Sequence, residues 1–277
     1  MEKNFVKNLS KISGAKLVSS IIVVMIVLFY LRPLGLPVPV SETTQSFYDA
    51  IEDLPDGSVV GVQCILTDTG FAEQKGGIAA ILTHLFDKSI TLVFFSVYQP
   101  TSPPLVDKSI SMVPKDIVEK NVYGEDYVVY GFVGGEEQSL TAIGNNVWDI
   151  YPMDQYGTPT EDIPLMENVR EASDFDLVVI LNAWFPASEA SVRQWDQTFN
   201  VPIVLAVDAA QFMALQPYYP EQVNGLIFGV RGGAEYEILI QRPGTSIAFT
   251  DAMSGMAILL TIALVAGNIV KGKKEEM

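Results

Sequence analysis

The chain is 277 residues long, with 49% hydrophobic residues and a formal net charge of −16. Between Pro33 and Ser246 it carries nine basic and 29 acidic residues, a net charge of −20, so we expect no nucleic-acid partner. Single copies of cysteine (Cys64) and histidine (His84) exclude an intramolecular disulfide and zinc sites built from these residue types.

The chain begins with a basic segment and an apolar run. Residues 1–16 carry four lysines and one glutamate, and Leu17–Leu31 is an uncharged run flanked by basic residues. The long side chains of the flanking Lys16 and Arg32 reach the lipid headgroups, so this short run still predicts a transmembrane helix over residues 17–32. A cleavable signal peptide is the alternative, although Pro33–Pro37 offers no small-x-small cleavage site.

A helix is predicted over Ser41–Leu54, and apolar runs then alternate with helical patterns. The alternation predicts a parallel, doubly wound α/β sheet of the Rossmann or flavodoxin type, with five or six strands. The predicted strands are residues 58–66, 90–98, 127–133, 176–182 and 202–207, and the predicted helices between and after them are residues 77–88, 114–121, 136–148, 165–172 and 188–199.

Between the third strand and the helix over 165–172 lies a long irregular segment, Tyr151–Pro164, with three prolines and a glycine. Loops of this length inside a compact domain are usually functional or lie against another subunit. We therefore expect this segment to contact a partner or a ligand.

Polar residues follow the predicted strands, at the edge where open parallel sheets bind ligands. Asp68, Asn182, Trp184 and Asp208 are the candidate ligand-binding residues on this basis. Asp68, Glu136 and Asp208 form an alternative set of carboxylates for a hard cation, although acids after strands more often stabilise the start of the next helix.

The segment Pro220–Gln241 is rich in glycine and has two interpretations. Apolar residues at helical spacing favour one long helix, on which Gly225, Gly229 and Gly233 lie four residues apart and permit close packing against another backbone. The alternative is a sixth strand over residues 225–230, followed by a turn at Arg231-Gly232-Gly233 and a helix from Ala234. If the segment is one long helix, Arg231 is a surface or interface arginine. If it is a strand, a turn and a helix, Arg231 is a candidate for binding an anion at the start of the helix.

Near its end the chain has nineteen uncharged residues, Ala252–Val270. They span about 28 Å at ~1.5 Å per residue, close to the ~30 Å of a bilayer core, and predict a transmembrane helix over residues 247–270. Ala263 and Gly267 form a small-xxx-small pair suited to packing on another helix.

The charges flanking the two predicted spans indicate a topology. Short basic segments stay in the cytoplasm, so residues 1–16 and 271–277 are predicted to be cytoplasmic tails. The acidic α/β domain, residues 33–246, is then extracytoplasmic. The lipid bilayer is the expected partner of the two-pass chain.

The sequence contains no P-loop, dinucleotide fingerprint, G-x-S-x-G or H-E-x-x-H motif, so we expect no cofactor and leave an enzymatic activity uncertain. Cys64 lies in an apolar run, which predicts a buried thiol. His84 falls beside the apolar stripe of a predicted helix, which predicts a solvated or half-buried residue rather than a catalytic base.

Several segments together resemble a family of uncharacterised prokaryotic membrane proteins. They are Tyr151–Pro164, Asp174-Phe175-Asp176, Pro217-Tyr218-Tyr219-Pro220 and the run Gly229–Glu237. The resemblance implies a Rossmann-like domain between two terminal spans, and it implies no activity.

Three functional hypotheses follow. The first is a non-enzymatic scaffold subunit of an oligomeric membrane assembly, either a homo-oligomer or a complex with other membrane proteins. The second is a small-ligand-binding or sensor domain that uses the carboxyl edge of the sheet. The third is a hydrolase that depends on carboxylates and a metal ion.

Overall fold

A computed structural model describes residues 19–24, 27–28, 32 and 36–275. The chain divides into two compact units, Met1–Pro37 with Thr245–Met277 and Val38–Gly244. The second unit contains the α/β fold.

The described part of the α/β unit contains one six-stranded sheet, in which every neighbouring pair of strands is parallel. The predicted α/β class and parallel sheet are therefore confirmed. The strand order is β3-β2-β1-β4-β5-β6. The strands are β1 Val59–Ile65, β2 Thr91–Val97, β3 Tyr127–Val133, β4 Leu177–Asn182, β5 Ile203–Val207 and β6 Gly225–Phe228.

Helices cover both faces of the sheet, because the central strands are apolar on both faces and each face has to be shielded from water. One face carries α1, α2, α3, α4 and α9, and the other carries α5, α6, α7 and the π-helical turn that extends α7. The helices are α1 Glu42–Glu52, α2 Asp68–Asp87, α3 Ser102–Ile110, α4 Lys115–Val118, α5 Glu136–Asn145, α6 Val147–Ile150, α7 Phe185–Ser191 with its π-helical turn Val192–Thr198, α8 Phe212–Leu215 and α9 Gly229–Leu239.

One predicted helix is absent from the structure, and one observed helix was not predicted. The helix predicted over 165–172 is wrong: short 3-10 turns occupy Pro164–Asn168 and Ala172–Asp174, the second of them closed by a reciprocal capping box between Glu171 and Asp174. The helix Ser102–Ile110 was missed because its first turn holds two prolines, which read as a turn in the sequence although proline is tolerated there.

The single helix favoured over Pro220–Gln241 is also wrong. The chain forms strand β6, turns at Gly229 with a φ of +54°, and continues as α9. The sixth strand of the alternative interpretation is thus present, although the helix after it begins at Gly229 rather than at Ala234. Apolar spacing alone did not separate a buried strand followed by a helix from one long helix.

The close packing inferred for the glycines occurs within this chain. A Cβ at Gly225 would lie 2.3 Å from backbone atoms of Phe47 in α1. A Cβ at Gly77 would lie 3.1 Å from the Cα of Gly233, so α2 and α9 approach closely where these two glycines meet. The glycines therefore allow α1, α2, α9 and the sheet to pack on one another.

The long segment Tyr151–Pro164 lies along the edge strand β3. Gln155 N donates to the Val129 backbone oxygen at 3.0 Å, and the Tyr123 hydroxyl donates to Asp154 at 2.7 Å. Covering an edge strand shields its unpaired backbone groups from other chains. The segment therefore has a role within its own domain.

In the other unit, the described residues contain a helix from Thr245 to Glu275. Among the described residues it alone is long and apolar enough to cross a membrane, over Thr245–Ile262, by length and composition. Leu36 N donates to the Asp251 carboxylate at 3.1 Å within this unit. Of the predicted first span, residues 17–32, the structure describes residues 19–24, 27–28 and 32. The surroundings of Ala263 and Gly267 lie outside what it describes.

Candidate functional site

The candidate site is the carboxyl edge of the sheet, beside the point where the strand order reverses. β1 pairs with β2 on one side and with β4 on the other, so the crossovers before and after this point run in opposite directions. In open α/β sheets, ligands bind outside the carboxyl ends of the strands at such a point. The first turn of α2, which follows β1, approaches the loop after β4, since a Cβ at Gly70 would lie 2.1 Å from the Cβ of Ala183.

Asn182, a predicted ligand residue, is fully buried and shapes the turn after β4 instead. Its side-chain oxygen accepts from Trp184 N at 2.7 Å, and its amide nitrogen donates to the Trp184 backbone oxygen at 2.8 Å and to the Ser188 hydroxyl at 2.6 Å. All of its side-chain polar atoms are therefore engaged within the protein. Asn182 is a positioning residue for the loop that carries Trp184.

Gln74, on the second turn of α2, reaches the end of β4. It is 4% exposed, and its Nε2 donates to the Asn182 backbone oxygen at 3.1 Å. Its Oε1 is buried and has no hydrogen-bond partner among the described residues. An unpaired buried acceptor costs about 1–3 kcal/mol of folding free energy, so such an atom calls for a partner.

Asp208 lies one strand away from this point. Asn182 and Val207 are register partners in β4 and β5, so Asp208 follows directly beside the end of β4. Its Oδ1 is buried and also lacks a hydrogen-bond partner within the described part of the chain. Beside it, the Glu73 carboxylate accepts from Ala209 N at 3.0 Å.

Gln211 completes this group from the turn after β5. Its Oε1 accepts from the Ser188 hydroxyl at 2.8 Å, which links it to the Asn182 amide. Its Nε2 is buried without a partner among the residues that the structure describes. Gln74 and Gln211 are thus linked to Asn182 by hydrogen bonds, and Asp208 follows its register partner, Val207.

A second group lies on the α5 and α7 side of the same edge. The rings of Tyr98 and Trp184 meet edge to face, with centroids 5.6 Å apart, and the Trp184 side chain is 37% exposed. The Tyr98 hydroxyl is buried with no partner among the described residues, and its backbone has a φ of +68°. Burial, followed by the negative charge of Glu137, raises the pKa of Tyr98. The hydroxyl therefore stays protonated at neutral pH.

Beside this group, Glu137 forms a two-point ion pair with Arg193, at 3.0 Å from Nε and 2.8 Å from Nη2. The hydrogen bond from Arg193 lowers the pKa of Glu137. Gln194 Nε2 donates to the same carboxylate at 3.0 Å. The negative charge of Glu137 is thus paired with Arg193 beside Tyr98.

The carboxylates proposed for a metal ion are not brought together. Among the described residues, no group of three His, Cys, Asp or Glu side chains is arranged to hold a metal. Asp68 and Glu136 lie instead in the first turns of α2 and α5, where a negative charge favours the positive end of the helix dipole. Of the two interpretations of these acids, Asp68 and Glu136 fit the helix-start one, and the alternative cation site of Asp68, Glu136 and Asp208 does not form among the described residues.

Arg231 lies in the first turns of α9 and is 67% exposed at its side chain. Its Nε donates to the buried Glu235 carboxylate at 3.1 Å, and Glu235 also accepts from Ser41 N and from the Ser41 hydroxyl. Arg231 thus helps to balance a buried acid that joins α9 to the start of α1.

His84 is more buried than its place beside the apolar stripe predicted, with an exposed fraction of 8%. One ring nitrogen lies 2.7 Å from the Tyr236 hydroxyl and the other 2.8 Å from the Glu52 carboxylate. Burial lowers the pKa of His84, although its hydrogen bond to Glu52 opposes the shift. A neutral ring bridging α1 and α9 is a structural link at the opposite edge of the sheet.

Gln74, Gln211 and Tyr98 at the candidate site were not predicted from the sequence. Tyr98 follows β2 directly, so the rule that selected Asp68 and Asp208 applied to it as well. Gln74 lies six residues after Asp68 within a helix, and Gln211 lies in a 3-10 turn. Their place at the strand ends depends on packing, for which the sequence gives no local signal.

No protein-family model and no curated protein matches this chain. Among solved structures, it is similar to the C-terminal domain of a glycosyl transferase group 1 family protein from Francisella tularensis. The sequence identity is 14% and the TM-score 0.30, and the match covers 80% of this chain and 93% of that domain. A likeness this distant supports no inference about what this chain binds or catalyses.

Proposed function

We propose that this chain is a membrane-anchored, extracytoplasmic protein that binds a small polar ligand at the carboxyl edge of its sheet. The observation that carries the proposal is the group of buried polar atoms without partners among the described residues: Gln74 Oε1, Ser96 Oγ, Tyr98 OH, Asp208 Oδ1 and Gln211 Nε2. All of them belong to residues at or beside the carboxyl ends of the strands. Buried polar atoms are normally hydrogen-bonded, so their concentration at the usual ligand edge favours a binding function.

The anchoring part of the proposal rests on the helix Thr245–Glu275 and on charge. The apolar part of this helix is followed by lysines, whereas the α/β unit is strongly acidic. Basic flanks favour the cytoplasmic side, which leaves the acidic unit outside. A second span over residues 17–32, as the resemblance to the two-span membrane family implies, remains part of this proposal.

The scaffold hypothesis has less support than the binding hypothesis. Two of the features that supported it were the glycine-rich segment and the long irregular loop. In the structure, Gly225 packs against Phe47, Gly233 packs against Gly77, and the loop covers β3. Since these features are engaged within the chain, neither calls for a second subunit.

A ligand that binds the folded state raises the unfolding temperature by mass action, which provides the test. The full-length protein in mild detergent is heated with pools of small polar compounds, namely amines, amino acids, sugars and carboxylates. We expect at least one pool to raise the unfolding temperature of the wild type. The same pool should leave Trp184→Ala unshifted, because the exposed ring lies at the rim of the site.

The matched control is Trp148→Ala, which removes a partly buried tryptophan in α6, away from the carboxyl edge. Its ligand-induced shift should equal that of the wild type. Equal shifts in all three proteins would place binding elsewhere and contradict the proposal. So would the failure of every pool to shift the wild type.

A further inference from the structure

We propose that the ligand carries an ammonium group, and that the Gln74 side-chain oxygen and the Asp208 carboxylate receive its N–H bonds. This inference rests on the proposed function, because it names the chemical class of ligand for the same edge of the sheet.

The orientation of the Gln74 amide is fixed by its neighbour. The Asn182 backbone oxygen is only an acceptor, so the atom of Gln74 that faces it at 3.1 Å has to be the NH₂ group. The side-chain oxygen of Gln74 is then left as a buried acceptor without a partner among the described residues. Gln74 is 4% exposed, so bulk water does not satisfy this oxygen freely.

Asp208 supplies a second acceptor with a negative charge. Its buried Oδ1 has no partner among the described residues, and the register of β4 and β5 places the residue beside Asn182, which Gln74 contacts. Glu73, the residue before Gln74, adds a carboxylate held by Ala209 N. A ligand group that binds to these oxygens has to donate hydrogen bonds. It also has to be neutral or positively charged, because the neighbouring carboxylates repel a negative charge.

Charge distinguishes between the candidate donors. A carboxylate or phosphate is repelled by Glu73 and Asp208 and by the net charge of −20 over residues 33–246. A divalent metal requires more oxygens than these, and the described residues contain no set of three acidic, His or Cys side chains for it. An ammonium group has three N–H donors and one positive charge, which suits acceptors of this kind on neighbouring elements.

Two arginines near this edge already have acidic partners. Arg193 pairs with Glu137, and Arg231 pairs with Glu235. Neither therefore competes directly for Asp208. The half-exposed Trp184 ring provides an apolar surface on the same edge for the carbon skeleton of an amine, with a favourable contribution from its π face.

The test is a calorimetric titration of the full-length protein in mild detergent with butylammonium and with 1-butanol, which has a similar carbon skeleton and no charge. We expect saturable binding of butylammonium only. Asp208→Asn keeps the side-chain size and removes the charge, so it should weaken binding about 10- to 100-fold. Gln74→Met should weaken it less, because it removes a neutral acceptor.

Glu161→Gln is the control for net charge, since Glu161 is exposed on the loop that covers β3 and its replacement removes one negative charge. It should leave the affinity for butylammonium unchanged. Circular dichroism of each variant establishes that the sheet is intact.

Three outcomes overturn the inference in different ways. If sugars or carboxylates bind and Trp184→Ala abolishes that binding, while butylammonium does not bind, the edge binds ligands but not amines. Equal affinity of the wild type and Asp208→Asn for butylammonium shows that amines bind elsewhere. Failure of butylammonium together with every compound pool counts against the proposed function as well.

Discussion

Gly225→Ala is expected to destabilise the α/β unit by about 3 kcal/mol or more, because the new methyl group has no space. Its Cβ would lie 2.3 Å from the Phe47 N and Cα atoms, and these are backbone atoms that no rotamer change moves. Either α1 shifts away from β6, or β6 leaves the sheet. Both responses expose the buried side chains of Phe47 and Ile51.

The measurement is the free energy of unfolding from urea titrations of the full-length protein in detergent. Gly131→Ala is the matched control, since Gly131 also lies in a strand and its Cβ would meet no atom closer than 4.0 Å. We expect the control to change stability by less than about 0.5 kcal/mol. A Gly225→Ala protein with wild-type stability and an altered particle mass would instead place the glycine face between subunits.

Trp195→Ala is expected to cost about 3–5 kcal/mol of unfolding free energy. Trp195 is fully buried, packs against Phe95 and Phe175, and donates its indole N–H to Gln63 Oε1 at 2.7 Å. Gln63 in turn donates to the Ser191 hydroxyl at 2.8 Å. Truncation leaves a large cavity and a buried amide oxygen without its donor, so two penalties add.

Trp184→Ala is the matched control, because it makes the same chemical change at a half-exposed ring. Chemical denaturation should show Trp184→Ala within about 1 kcal/mol of the wild type, with Trp195→Ala far less stable. Similar losses in the two variants would show that the core around Trp195 is not packed as described. The comparison also establishes that loss of ligand binding in Trp184→Ala is not a consequence of unfolding.

The strands were the most predictable part of the fold. Apolar runs such as Tyr127–Val133 are buried in the interior of a parallel sheet, and their turn residues mark both ends. The segment Pro220–Gln241 failed because apolar residues at helical spacing also fit a buried strand followed by a helix. What favours the strand is the contact of Gly225 with α1, which leaves no space for a side chain at this position. This contact cannot be seen in the local sequence.

The position of the candidate site in the fold was predictable from the sequence, but the full set of its residues was not. The rule that ligands bind at carboxyl strand ends selected Trp184 and Asp208, which lie at this edge with an exposed ring and an unpaired buried oxygen. The same rule selected Asn182, whose polar atoms shape a turn. Gln74 reaches the edge from within a helix, and this placement depends on how α2 packs on β4.

Native mass spectrometry of the full-length protein, released from mild detergent, tests the central claim most directly. We expect a species heavier than the 30.3 kDa chain by the mass of a small amine. If the purified protein carries no amine, we expect this heavier species to form when butylammonium is added. Asp208→Asn should lose this added mass, while Glu161→Gln retains it. Bare polypeptide in all three proteins, with and without butylammonium, would contradict an amine site at the carboxyl edge of the sheet.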